Sequence, residues 1–241
     1  MNSVVHKLAM GVVCVAAVLL FNASVQAGAW SNPSGTAPSG HFTWDSGHDL
    51  NGYFGDPTVT IDDKFVFDWA SMGVSAYDGH TPDSLSDSIH FDIHLSPGYT
   101  LAGFEVRAYG DSLVRGAGSQ VDLSATLGLE EFAAQPPNTN PRIFGDTLTT
   151  NPWTFPLICT GPTLQSTWSG IATVVVAGQL PSVDDDLHVS FTTIMNAIAA
   201  QNGLANLNLN FQQSRLEIAL IPEPMSVLLL GLGALALLRR R

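Results

Sequence analysis

"VDLSATLGL", residues 121–129, decides the fold: Val121, Leu123, Ala125, Leu127 and Leu129 alternate with Asp122, Ser124, Thr126 and Gly128. Successive side chains on a strand point to opposite faces, so an alternation of this kind puts one face on a core and the other in water. Working outward, "YTLAGFEVRAYG" (99–110) turns Ala102, Phe104, Val106 and Ala108 one way and Glu105 and Arg107 the other, and "KFVFDWA" (64–70) sets Phe65, Phe67 and Trp69 on one side. Both read as half-buried antiparallel strands. "TWSGIATVVVAG", "LHVSFTTI", "LANLNLNF" and "RLEIALI" are further strands, each bounded by Gly, Pro, Asn or Asp.

Only "MNAIAAQNG" (195–203) reads as helix, for a turn or two. About nine to twelve short strands without strand–helix alternation predict an all-β, antiparallel β-sandwich of jelly-roll or immunoglobulin-like type, spanning 41–221. Residues 28–40, "GAWSNPSGTAPSG", read as a flexible leader, and "QPPNTNPR" (135–142) as a long loop.

The first 27 residues carry a basic Lys7, an apolar core and a Val25-Gln26-Ala27 ending. That is the layout of a secretory signal peptide cut after Ala27. Val13 stands where a lipidated Cys14 would need a small residue, so lipidation is not expected. Removal of the peptide leaves Cys159 alone, without an intramolecular disulfide. Past the peptide, from Gly28 to Pro224, Lys64, Arg107, Arg115, Arg142 and Arg215 face all 21 Asp and Glu residues. An exported part this acidic excludes nucleic acid as a partner and suits divalent cations or basic partners.

Three groups of residues could carry chemistry. "GDSL" (110–113) with Asp185-x-x-His188 resembles the nucleophile and Asp/His signatures of the GDSL hydrolases, which implies Ser112 as nucleophile, His188 as base and Asp185 as its orienting group. The family's further Gly and Gly-x-Asn-Asp blocks have no counterpart, so Gly110-Asp111 is read as turn chemistry, no catalytic residue is assigned and no enzyme is expected. In "SIHFDIHLSPG" (88–98), His90, Asp92 and His94 form a polar stripe. Neighbours two apart on a strand could share a metal, but the stripe reads as a solvated face and no metal ligands are assigned. The acidic runs "DSGHDLNGYFGD" (45–56) and Asp184–Asp186 offer oxygens for a structural calcium, without a complete calcium-loop pattern. Trp44, Tyr53, Trp153 and Trp168 could stack on sugars, but aromatics in a sandwich more often fill its core.

The chain ends on Pro222-Glu223-Pro224, an apolar run of about 14 residues and Arg239-Arg240-Arg241, too short for a comfortable span of about 20. This segment, 222–241, resembles the PEP-CTERM sorting signal. The resemblance implies a Gram-negative host and a membrane sorting enzyme, an exosortase, that recognises Pro222, Glu223, Pro224 and the three arginines. It implies transient inner-membrane contact through a short C-terminal helix, and display at the cell surface or in an extracellular matrix associated with exopolysaccharide and biofilm. The expected function is therefore a non-enzymatic exported surface or matrix protein. The alternative is a carbohydrate-binding module, with calcium as a structural option.

Overall fold

The computed structural model describes residues 28–67, 72–131, 143–152, 154–176, 186–208 and 216–222. Ala27, the signal peptide, Trp69, the 135–142 loop, Trp153, Asp184, Asp185 and the tail from Glu223 to Arg241 lie outside them. The strands are β1 (Gly28–Ala29), β2 (Gly35–Thr36), β3 (Phe42–Asp49), β4 (Thr58–Val59), β5 (Lys64–Phe67), β6 (Gly73–Tyr77), β7 (Asp83–Leu95), β8 (Leu101–Arg115), β9 (Gln120–Glu131), β10 (Ile143–Thr147), β11 (Thr149–Asn151), β12 (Leu157–Ile158), β13 (Thr163–Val175), β14 (Asp186–Ile198), β15 (Leu204–Asn208) and β16 (Leu216–Pro222). They form two antiparallel sheets. Sheet A runs β1-β3-β7-β14-β9-β10, with β2 beside β3 and β12 beside β9; sheet B runs β11-β13-β8-β16-β5-β4, with β15 joining β8 to β6.

The chain is all-β among the described residues, and its two sheets pack as a β-sandwich. The alternation that announces the fold is the alternation that buries it. Val121, Leu123, Ala125, Leu127 and Leu129 of β9 are all buried, as are Phe104, Val106 and Ala108 of β8 and Phe65 and Phe67 of β5. The seam between the sheets is aromatic: Phe65 of sheet B meets Phe91 of sheet A at 4.5 Å between ring centroids, and Phe54 meets Phe191 at 6.2 Å. Rings of this size dominate core energetics, and their tilted and edge-on contacts follow from the ring quadrupole.

Three local expectations are corrected. Residues 195–198, read as helix, complete β14, which pairs with β7 on one side and β9 on the other. The alanines that suggest a helix alternate inward instead, with Met195, Ala197 and Ala199 buried, so two flanking ladders override a weak local propensity. Gly110 to Leu113 is not a turn but the middle of β8, and the reversal comes later at Gly116 and Gly118, whose φ values are 86° and 90°. Glycine is needed at Gly110 for room: a Cβ there would sit 2.6 Å from Trp168 Cζ2. The leader 28–40 is not loose. Gly28 and Ala29 pair with Asp49 and His48, Gly35 and Thr36 pair with Trp44 and Thr43, and Trp30 is buried in the aromatic seam.

Candidate functional site

Sheet A carries its chemistry on its outer face. The inward residues of β7 and β14, Ile89, Phe91 and Ile93 with Leu187, Val189 and Phe191, are fully buried, so the residues between them face away from the core. Antiparallel register then lines up three cross-strand rows. His94 lies opposite Asp186 and Thr43, Asp92 opposite His188 and Asp45, and His90 opposite Ser190 and His48. Glu130 of β9 flanks His188 on the far side. The stripe read from β7 alone is thus the middle of a field of four histidines and several carboxylates drawn from four strands.

Two hydrogen-bonded systems run through it. In the first, His94 Nδ1 lies 2.5 Å from Asp186 Oδ1 and its Nε2 3.1 Å from Asp45 Oδ2. Carboxylates only accept, so both ring nitrogens are best used as donors. Burial works against a charged His94, yet the bonds to Asp186 and Asp45 outweigh it and raise its pKa above the usual histidine value. Asp45 is held below the usual carboxylate value by the hydroxyl of Ser46, which with His94 outweighs the opposing effect of burial.

In the second system Asp92 Oδ1 lies 2.7 Å from His188 Nδ1, and His188 Nε2 faces His90 Nδ1 at 3.2 Å. His48 stacks on His90 with ring centroids 5.3 Å apart, and its Nδ1 donates to the carbonyl of Ser46 at 2.7 Å. Burial, with His188 and His48 close by, lowers the pKa of His90. Among the described residues no group of three or more His, Cys, Asp or Glu side chains surrounds one point as a metal-binding set.

The acidic run 45–56 is organised by backbone amides. Asp49 Oδ2 accepts from the N–H groups of Phe54 and Gly55 at 3.0 Å each. Asp87 accepts from Asn51 and Ser88 at 2.9 and 2.8 Å on Oδ1 and from Tyr53 at 3.0 Å on Oδ2. Burial, partly countered by the Gly55 amide and reinforced by the nearby charge of Asp87, raises the pKa of Asp49. Lone pairs that calcium would need are thereby directed at the loop's own N–H groups.

The hydrolase triad is not assembled. Ser112 is buried on the inner face of sheet B, where its hydroxyl donates to the Ser166 carbonyl at 3.4 Å, whereas His188 stands on the outer face of sheet A. Sheets packed face to face lie about 10 Å apart, so the full thickness of the sandwich separates nucleophile and base. The aromatic platform is also dispersed. Trp168 is buried against Phe155, Trp44 packs edge-on to Phe65, and Tyr53 packs against the core. What sheet B offers outside is a groove of about 350 Å³ lined by Lys64, Glu105, Arg107, Tyr109, Glu217 and Ala219. Its charges are already paired, Arg107 Nε with Glu105 at 2.5 Å and Lys64 Nζ with Asp62 at 2.7 Å.

Sequence reasoning found His90, Asp92 and His94 but not His48 and Asp45 as their neighbours, and it assigned His188 to a different partner. Only the order β3-β7-β14 brings these residues together, and no local pattern encodes that order. No family model matches the chain, and no curated protein sequence is similar to it. Solved structures with some likeness include that of the infectious bursal disease virus Gt strain, at 15% identity and a TM-score of 0.16 over 70% of this chain and 43% of that one. The VP2 subviral particle of the same virus gives 13% identity and a TM-score of 0.11, over 70% and 44%. The chain spans less than half the length of these neighbours.

Proposed function

We propose that the protein is exported and displayed at the bacterial surface or in its matrix as a non-enzymatic sandwich domain, sorted through its C-terminal segment. The observation that carries this reading is the order of parts at the end of the chain. Pro222, the last described residue, belongs to β16 and is also the first residue of Pro222-Glu223-Pro224, and an apolar run and three arginines follow in the sequence. The arginines would stay on the cytoplasmic side, which leaves Pro222-Glu223-Pro224 at the outer interface with the domain. An exosortase-type enzyme is the partner, contact with the inner membrane is transient, and the N-terminal 27 residues are the export signal.

The alternation of consecutive long strands β7, β8, β9, β13 and β14 between the two sheets favours the jelly-roll over the immunoglobulin-like arrangement. A carbohydrate-binding role is the second reading, and the groove beside Tyr109 and Arg107 is what favours it. Retention of the purified chain on the producing strain's exopolysaccharide separates the two. A passive surface protein is retained no more than an acidic protein of similar charge, whereas retention lost on Tyr109→Ala would establish the carbohydrate-binding module.

A further inference from the structure

The pair His90 and His188 has a separation that suits a hydrogen bond and equally a shared metal ion. Zinc binds imidazole nitrogen at about 2.0–2.1 Å, so two nitrogens on one tetrahedral ion stand roughly 3.3 Å apart. His90 Nδ1 and His188 Nε2 face each other at 3.2 Å. Metal-binding histidines usually donate their second ring N–H to a carboxylate or a backbone carbonyl, which fixes tautomer and orientation. His188 does so to Asp92 through Nδ1 at 2.7 Å, so Nε2 is the ring nitrogen that faces His90. The next ring in line, His48, is held the same way by the Ser46 carbonyl, so its Nε2 is the acceptor nitrogen, and it lies stacked against His90. All three rings are on the outer face of sheet A, open to solvent on one side.

We propose that His90 Nδ1 and His188 Nε2 are two ligands of a site for a borderline-soft divalent metal of the zinc, nickel or copper type, with Asp92 as the orienting carboxylate. Water fills the remaining positions. Imidazole donors select these ions over calcium and magnesium, which take oxygen. His94 belongs to a separate system: both its nitrogens are engaged by Asp186 and Asp45, and neither is available to an ion.

The test is calorimetric titration of the full chain with zinc chloride at about pH 7.5, alongside Cu²⁺ electron paramagnetic resonance. One zinc per chain is expected. His90→Gln and His188→Gln should each weaken binding by about tenfold or more, Asp92→Asn by roughly 10–100-fold, and His94→Gln should leave it unchanged. The copper spectrum of the unaltered chain should show coupling to at least two nitrogens, one fewer in His90→Gln. Absence of zinc binding, binding indifferent to His90 and His188, or binding lost on His94→Gln would overturn the proposal. If a variant fails to fold, judged by its circular dichroism, the nitrogen count of the unaltered chain decides: fewer than two coupled nitrogens sinks the site.

Discussion

Replacing Trp30 by alanine tests whether the segment before β3 is part of the folded sandwich. Trp30 is 3% exposed, its ring lies 5.6 Å from both Phe67 and Phe91 and 6.3 Å from Phe65, and its amide donates to the Gly47 carbonyl at 3.2 Å. Truncation of a core tryptophan costs about 3–5 kcal/mol, a large part of the roughly 5–15 kcal/mol that holds a domain together. For a domain of this size the melting temperature should fall by about 6–20 °C. Gly47 provides an internal control. A Cβ there would lie 2.1 Å from Trp30 Cε3, far inside van der Waals contact, so Gly47→Ala alone should cost about 1–3 kcal/mol through overpacking. With Trp30 already alanine the obstruction is gone, and Gly47→Ala should become nearly neutral, a coupling of the same size. Urea unfolding followed by far-ultraviolet circular dichroism reads all four chains. A Trp30→Ala cost below about 1 kcal/mol, with Gly47→Ala equally damaging in both backgrounds, would refute the seating of this segment.

Further outcomes follow from the same geometry. The raised pKa of His94 means that the folded chain holds its proton more tightly than the unfolded one, so its contribution is complete below pH 6.5 and fades as pH rises through the folded value. His90 has the opposite sign: its lowered pKa costs stability as pH falls below 6.5. Melting curves should therefore show His94→Gln penalised more at about pH 6 than at about pH 8.5, and His90→Gln gaining on the parent as the solution is acidified; equal shifts at both pH values would contradict the assignment. Asp87→Ala, which strips three backbone N–H groups of their acceptor, should cost about 2–3 kcal/mol, while a calcium chelator should leave the melting temperature of the parent unchanged. Hydrolysis of p-nitrophenyl acetate should be the same for the parent and Ser112→Ala, and serine-dependent turnover would contradict the placement of Ser112 inside sheet B.

Strict alternation made the sandwich legible. Each of β7, β8, β9 and β14 buries every second residue over much of its length, and a strand with one wet face has no other way to be written. The misread stretches are those where a residue's local preference and its tertiary task differ. Ala197 and Ala199 favour a helix in isolation, but Ala197 fills an inward position of β14 and Ala199 is buried just past its end. Gly110 resembles a turn glycine, yet it is there to let Trp168 and the Asn208 carbonyl approach β8. Trp30 sits among Gly, Ser and Pro that look like linker, and only the shape of the seam between Phe65, Phe67 and Phe91 explains a tryptophan at that point. The candidate site was half legible for a related reason. His90, Asp92 and His94 share one strand, whereas the partners that give them chemistry, His48, Asp45, His188 and Asp186, arrive by pairings up to 98 residues away in sequence.

The central claim is sorting through the C-terminal segment, and intact-mass spectrometry of the protein recovered from the native cell surface or matrix tests it most directly. The account predicts a chain that begins at Gly28 and ends near Pro224, with Met225 to Arg241 removed. A recovered protein that still carries Arg239, Arg240 and Arg241 would contradict it, leaving the tail a plain anchor.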